Sequence, residues 1–495
     1  HHYLKHWWLG KGKYDFSEIK RNIETTLSLN PNAVIMLNVA ISPRYRNWGD
    51  EYPKAIWRDH DGRRTAGYKH HINFPEKLKP GNGRWNFWAH SYSAQGFRDS
   101  AGAALTDLAK YLNSFECGKA VAGIMFNCGT DNQWFPHVQY KGFDFSTGAQ
   151  EDFRYYLRDI YGNDVKKLQT AWDDQNVTFD NALLAPFKSR SPDGRFFLNP
   201  QNGRDRRVID SNRYNDVGAM KSANYLGKTF KKALGRSVFI SMYAPDIIQG
   251  YSGRSSRRVL LDSDGIDGIV SVPEYGLWRS PGRTGNFSST ISSISLHGKI
   301  FLSELDYRTQ MSYLAADAYE RLVYSMGGVI DEDEFANQAR RDLGAVAAQG
   351  GGAWFLAMNR TSFNTPEYLQ VMRELVRAMK LAADQPMPQD RAQMCVFLDE
   401  DTRNVANYNL AAGFNNLSIG MARPALWRSG VSWDAYYLSD LINPDRHKYK
   451  VYLFLAAPSI TAKQIDWIRQ NLQKDGNVLV FVNVAGISSG RGTFE

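Results

Sequence analysis

Glu304 closes a short apolar run, Ile-Phe-Leu-Ser-Glu at 300–304, and Asp306 and Arg308 follow it. The C-terminal end of a buried parallel strand is where an α/β barrel keeps its chemistry. A carboxylate there can act as a nucleophile if it stays ionised, and Arg308, near in sequence, favours that state. The competing reading is a structural ion pair at a barrel rim. The expected partner of Glu304 lies upstream in Gly-Thr-Asp-Asn-Gln-Trp-Phe at 129–135, after a second apolar run. There the position of a second acid is held by Gln133, which has the shape of a glutamate but delivers no proton.

The elements that must position this pair read as alternating strands and helices. Apolar runs fall at 33–40, 121–127, 237–243, 265–272, 299–304 and 352–358, with amphipathic stretches at 16–29, 100–115, 149–161, 211–234 and 311–326 between them. Such alternation predicts a parallel sheet. Six strand–helix units make up most of a (β/α)8 TIM barrel, so the first two units are read as missing from this chain. On that count Gln133 follows strand four and Glu304 ends strand seven, on opposite sides of the barrel mouth. Two carboxyl groups about 5–5.5 Å apart across a sugar are what a retaining glycosidase requires. The Pro-containing stretch at 383–390 marks a boundary between a barrel domain, 1–383, and a smaller domain, 391–495. The second domain has apolar runs at 394–398, 451–457 and 477–482 and a helical pattern at 461–473, which predicts a truncated flavodoxin-like α/β fold.

Composition narrows the partners. The 495 residues carry a net charge of +9 and a pI near 9.2, and 13% of them are aromatic. A basic balance suits a polyanion. No Lys/Arg-rich block or nucleic-acid motif appears, so nucleic acid is not expected and an acidic polymer such as a sulfated polysaccharide is. Aromatic abundance suits sugar faces, although most of these rings belong to the core of a large protein. The three cysteines, Cys117, Cys128 and Cys395, are too scattered for a disulfide framework or a zinc site. His1, His2, His6, His70, His71 and His297 form no metal pattern, and neither a metal nor another cofactor is expected. No apolar stretch approaches the length of a membrane span. The expected location is periplasmic or secreted.

The segment Thr-Asp-Asn-Gln-Trp-Phe at 130–135 resembles the Asp-Asn-Glu signature of family 42 β-galactosidases in glycoside hydrolase clan A, with Gln133 in the acid's place. Residues 296–309 are similar to the strand-seven nucleophile region of that group. The stretch 12–48, with Tyr-Asp-Phe, Asn-Pro-Asn-Ala and Ser-Pro-Arg, also looks like it, and the second domain resembles the α/β trimerisation domain that follows those barrels. The resemblance implies retaining, double-displacement hydrolysis without a metal. Glu304 would be the nucleophile, Gln133 would hold the acid/base position and Asn132 would bond the sugar 2-hydroxyl. It also implies exo action and a homo-oligomer, a dimer or trimer. Three accounts of Gln133 stay open: a deliberate Glu-to-Gln exchange that traps substrate, a natural non-catalytic relative, or an acid elsewhere, such as Asp131.

Other residues near strand ends are expected to meet sugar: Trp134, Tyr243, Glu274, Tyr275, Arg279, Asp306 and Arg308. Trp354, on the last strand, is a further candidate that reads equally as core. Arg279, Arg283 and Arg308, with Arg44 and Arg46, would make the mouth cationic and suited to sulfate. The expected substrate is therefore a galactan oligosaccharide, sulfated as in carrageenan. The loops at 48–88 and 187–205 equally suit the extended cleft of an endo-acting agarase-like or carrageenase-like enzyme. Two non-enzymatic readings compete with these: a carbohydrate-binding barrel that lost catalysis, and a purely structural barrel.

Overall fold

The computed structural model describes residues 3–4, 7–42, 48–64, 89–129, 134, 144–191, 194–244, 257–275, 278–285, 288–309, 311, 328–329, 331–357, 362–385, 392–407 and 416–487. The chain divides into two compact units. The first holds His1–Pro245, Ser252–Asp267 and Arg403–Ala411, and the second holds Asp246–Tyr251, Gly268–Thr402 and Ala412–Glu495.

The first unit begins with strand β1 (Tyr3–Leu4) and a short antiparallel hairpin, β2 (Trp8–Gly10) and β3 (Lys13–Tyr14). Strands β4 (Ile35–Ala40), β5 (Val121–Asn127) and β6 (Phe239–Tyr243) then line up parallel beside β1. The register aligns Tyr3, Asn38, Met125 and Ser241 in one row. Side chains alternate across a strand. Leu37, Val39, Ile124, Phe126, Ile240 and Met242 are fully buried, and Phe126 meets Phe230 edge-on. That face is therefore the one covered by helices, and burial of each such side chain contributes about 1.5–3 kcal/mol.

Phe230 belongs to the longest helix. The helices before it are α1 (Ser17–Leu29), α2 (Trp48–Glu51), α3 (Gln95–Asn113), α4 (Thr147–Ile160) and α5 (Val165–Trp172), and the long one is α6 (Gly203–Leu234). Helix α6 starts ahead of the expected 211 because the Asn202 side chain caps it, accepting from the Asp205 amide. Its first turns carry Arg204, Arg206 and Arg207 rather than an apolar stripe, so periodicity could not show them. Gly227 lets α6 approach the turn at Gly265, where a Cβ would lie 2.2 Å from a carbonyl oxygen. Lys231 on α6 then pairs with Asp267, whose carboxylate also accepts from the Ile240 amide of β6.

In the second unit β7 (Gly268–Ser271), β8 (Ile300–Leu305) and β9 (Gly352–Phe355) run parallel. Helix α7 (Arg257–Leu261) precedes them in the chain, within the first unit. Helices α8 (Ile291–Leu296), α9 (Glu332–Ala348) and α10 (Pro366–Ala383) belong to the second unit. Leu305 and Tyr307 pack with Phe335, Leu343 and Tyr368 of α9 and α10. A second, all-parallel sheet follows in the order β11 (Trp433–Tyr437), β10 (Met394–Leu398), β12 (Val451–Ala457), β13 (Val478–Ala485). The stretch at 383–390, expected as a domain boundary, lies between α10 and β10, which both belong to the second unit. The α/β class and the run of parallel strands are as the sequence reading expected. Strand β1 was not foreseen, because two residues show no periodicity. The helix expected at 311–326 lies outside the described residues, apart from Met311.

Candidate active site

In the first unit the face of the sheet away from the helices carries polar side chains among apolar ones. Asn38 and Ser241 share a row with Met125, and Asn127 lies two residues further along β5. Asn127 and Ser241 are wholly buried. Neither the Asn127 amide group nor the Ser241 hydroxyl makes a hydrogen bond among the described residues. Tyr243 ends β6 and is also buried.

Beyond Asn127 the chain turns at Gly129, with φ 72°. Gln133, Asn132 and Asp131 lie outside the described residues, as do Phe135, Arg44 and Arg46. Trp134 is the described residue that follows Gln133 in the chain. Trp134 holds a left-handed backbone at φ 61°, a conformation that costs a bulky residue about 1–3 kcal/mol unless its surroundings impose it. Its amide donates to the Cys128 carbonyl at 2.8 Å and its indole nitrogen to the Phe126 carbonyl at 3.3 Å. The ring is wholly buried against Tyr92 and Phe97. Trp134, expected to touch sugar, is thus turned into the core.

In the second unit Leu305 and Tyr307 face the helices, so Glu304 projects from the opposite face of β8. It is half-buried. Its register partner on β9 is Trp354. The neighbours of Trp354, Ala353 and Phe355, pack into the helix-side core, which sends the indole to the face of Glu304. The sequence left Trp354 open between a sugar contact and core. Only the register places an aromatic ring beside the candidate nucleophile, where it suits a sugar face.

The structure brings four other predicted residues together. Asp306 accepts from Arg279 at 2.5 Å and from the Tyr275 hydroxyl at 2.7 Å, and Arg308 approaches it at 3.5 Å. Arg308 also donates to the Asp306 carbonyl at 2.6 Å. Arg279 has no exposed surface, and its guanidinium lies over the rings of Tyr275 and Tyr307. Burial is the largest single influence and opposes its charge, but the Asp306 carboxylate together with Tyr275 and Tyr307 holds its pKa above the usual arginine value. The backbone carbonyl of Arg279 accepts from Gln338 and Arg341. Arg279 is therefore built into the fold rather than presented to an anion. Glu274 is paired with Arg423. Among the described residues no cluster of three His, Cys, Asp or Glu could hold a metal, and no helix is long and apolar enough to cross a membrane.

No protein-family model matches this chain, and no curated protein sequence matches it. Solved structures do. A cold-adapted β-galactosidase from Rahnella sp. R3 aligns with a TM-score of 0.60 at 13% identity, covering 97% of this chain and 65% of that one. A β-galactosidase from Bacillus circulans sp. alkalophilus aligns at 0.56 and 12% identity, covering 98% of this chain and 67% of that one. A GH42 β-galactosidase from G. stearothermophilus aligns at 0.56 and 12% identity, covering 97% and 65%. At this identity the likeness shows the fold: an α/β chain of the (β/α)8 barrel type with a second parallel sheet. The chain spans about two thirds of the length of these structures.

Proposed function

We propose that this chain is the barrel of a retaining glycoside hydrolase for galactose-containing oligosaccharides, with Glu304 as nucleophile and Gln133 in the acid/base position. The observation that carries this reading is Glu304 itself. It sits near the C-terminal end of a parallel strand, on the face away from the helices, beside Trp354, in a chain that shares the fold of β-galactosidases. Glu304 would attack the anomeric carbon and form a glycosyl ester as the bond to the leaving oxygen breaks, that oxygen taking its proton from water in this chain and from the restored carboxyl group in a Gln133→Glu protein. Gln133 can hold that oxygen by hydrogen bonding but has no proton to give. General acid catalysis is worth roughly 10²–10⁴ in rate, so the chain as it stands is expected to bind substrate and turn it over slowly.

The finer substrate reading, a sulfated galactan such as carrageenan, is supported by the net charge of +9. The arginines add little to it. Arg279 and Arg308 are both engaged with Asp306, and Arg44 and Arg46 lie outside the described residues.

Hydrolysis of neutral and sulfated galactose oligosaccharides by a Gln133→Glu protein tests the reading. Activity is expected to rise by about 10²-fold or more and to vanish when Glu304→Gln is added. Binding that persists without any turnover in Gln133→Glu would instead make the barrel a carbohydrate-binding protein.

A further inference from the structure

Directly beneath Trp134 lies a cavity of about 30 Å³, walled by the Trp134 ring, Asp144, Ser93, Tyr214, Asn215 and Ala219 among others. A space of this size admits one water, provided that it meets two or more polar partners. Asp144 supplies the strongest of them. Its Oδ1 accepts from the Ser146 amide at 2.9 Å and the Arg58 amide at 3.4 Å. Its Oδ2 is sealed from solvent and makes no hydrogen bond among the described residues. An acceptor left in that state costs about 1–3 kcal/mol, more if charged. Burial pushes the Asp144 carboxyl above the usual carboxylate range, against the Ser91 and Ser146 hydroxyls and the two amides, which pull it down. Tyr214 shares its one hydroxyl hydrogen between the Ala149 carbonyl and the Asp152 carboxylate and accepts from Ser93, so the other polar groups around the space are those of Ser93 and Asn215.

We propose that this cavity is a built water site, and that Asp144, through the water, positions Trp134, the residue that follows Gln133 in the chain. The water donates to Asp144 Oδ2 and fills the floor under Trp134. Trp134 needs such a floor, because its left-handed backbone persists only while its surroundings impose it. The water site stands on this geometry alone, whereas its importance for catalysis rests on the glycosidase reading.

Two measurements decide it, and neither needs a substrate. High-resolution diffraction should place an ordered water within hydrogen-bond distance of Asp144 Oδ2. Hydrogen exchange at the Trp134 amide should accelerate by about tenfold or more in Asp144→Leu, which expels the water, and by less than about threefold in Asp144→Asn, which keeps it. If Asp144→Leu does not fold, Ala219→Val fills the same space with Asp144 intact and is expected to act like it. A cavity without solvent density, or unchanged Trp134 exchange in the filled variants, overturns the proposal. A Gln133→Glu protein without activity would count against the glycosidase reading and not against the water site.

Discussion

Arg279 carries a full charge with no exposed surface, and Asp306 is the only carboxylate paired with it among the described residues. Two guanidinium nitrogens of Arg279, Nε and Nη1, already make no hydrogen bond among those residues. Removing Asp306 would leave the cation buried and unpaired, a change that costs about 3–5 kcal/mol. Asp306→Ala is expected to lower unfolding stability by that amount in a denaturant titration, whereas Arg279→Met combined with Asp306→Leu should cost much less. A loss below about 1 kcal/mol in the single variant would mean that water or another group takes over the pairing. None of this was legible in the sequence, where Arg279 and Asp306 both read as sugar contacts. The two are far apart in the chain, and only the fold shows that they satisfy each other. Glu304 was legible because a carboxylate ending an apolar run breaks the strand's own pattern. Trp134 misled because a left-handed turn leaves no periodic trace, and Asp144 drew no attention because a lone loop aspartate has none either.

Elements were legible where they repeat. The six barrel-type strands and the helices α1, α3, α4 and most of α6 announced themselves by alternation, while α9 and α10 were not foreseen, β1 is too short to show a pattern and the start of α6 depends on a cap. The second sheet adds a feature that no pattern shows. Strands β10 and β12 are neighbours at the point where the strand order reverses, and Asp399 follows β10 there. Its carboxylate accepts from the Ser459 amide at 2.7 Å, the Ser459 hydroxyl at 2.6 Å and the Asp401 amide at 3.0 Å, clasping the ends of the two strands. Burial, with the Asp401 charge beside it, pushes Asp399 up to about 7 despite these donors. The folded state therefore binds this proton more tightly than the unfolded chain does. Its contribution is fully present below the ordinary carboxylate pKa of about 4 and is lost as pH rises from there to about 7. The effect is on the order of 4 kcal/mol across that window. Other carboxylates act in the opposite direction, so the readout is a difference between proteins. Unfolding titrations at pH 4 and pH 8 should give a smaller fall, or a rise, in stability with pH for Asp399→Asn than for the native chain. Equal pH dependence in the two would show that Asp399 is ionised throughout.

At the scale of the whole molecule the sequence speaks through charge. The excess of nine positive charges was read directly from composition, and it is the main support for a sulfated substrate now that Arg279 and Arg308 are seen to be tied to Asp306. A diffuse positive field and a specific sulfate-binding fork differ in how they respond to salt. Long-range attraction between exposed charges is screened once the Debye length falls below their separation, from about 10 Å at 0.1 M to about 3 Å at 1 M. If the net charge recruits the substrate, affinity for a sulfated galactan oligosaccharide should fall by about tenfold or more as sodium chloride is raised across that range, through a slower association rate. A neutral oligosaccharide of the same length should change by less than about twofold, because its contacts are hydrogen bonds and ring faces that salt does not screen. Calorimetric titrations of both ligands at the two salt concentrations make the comparison, with the Gln133 protein used unaltered so that binding is not confused with turnover. Parallel salt responses would remove the reason to prefer a sulfated galactan and leave the neutral one as the substrate class. A steep response of the sulfated ligand alone would point to cationic residues beyond the Asp306 cluster, with exposed Arg283 the first to replace.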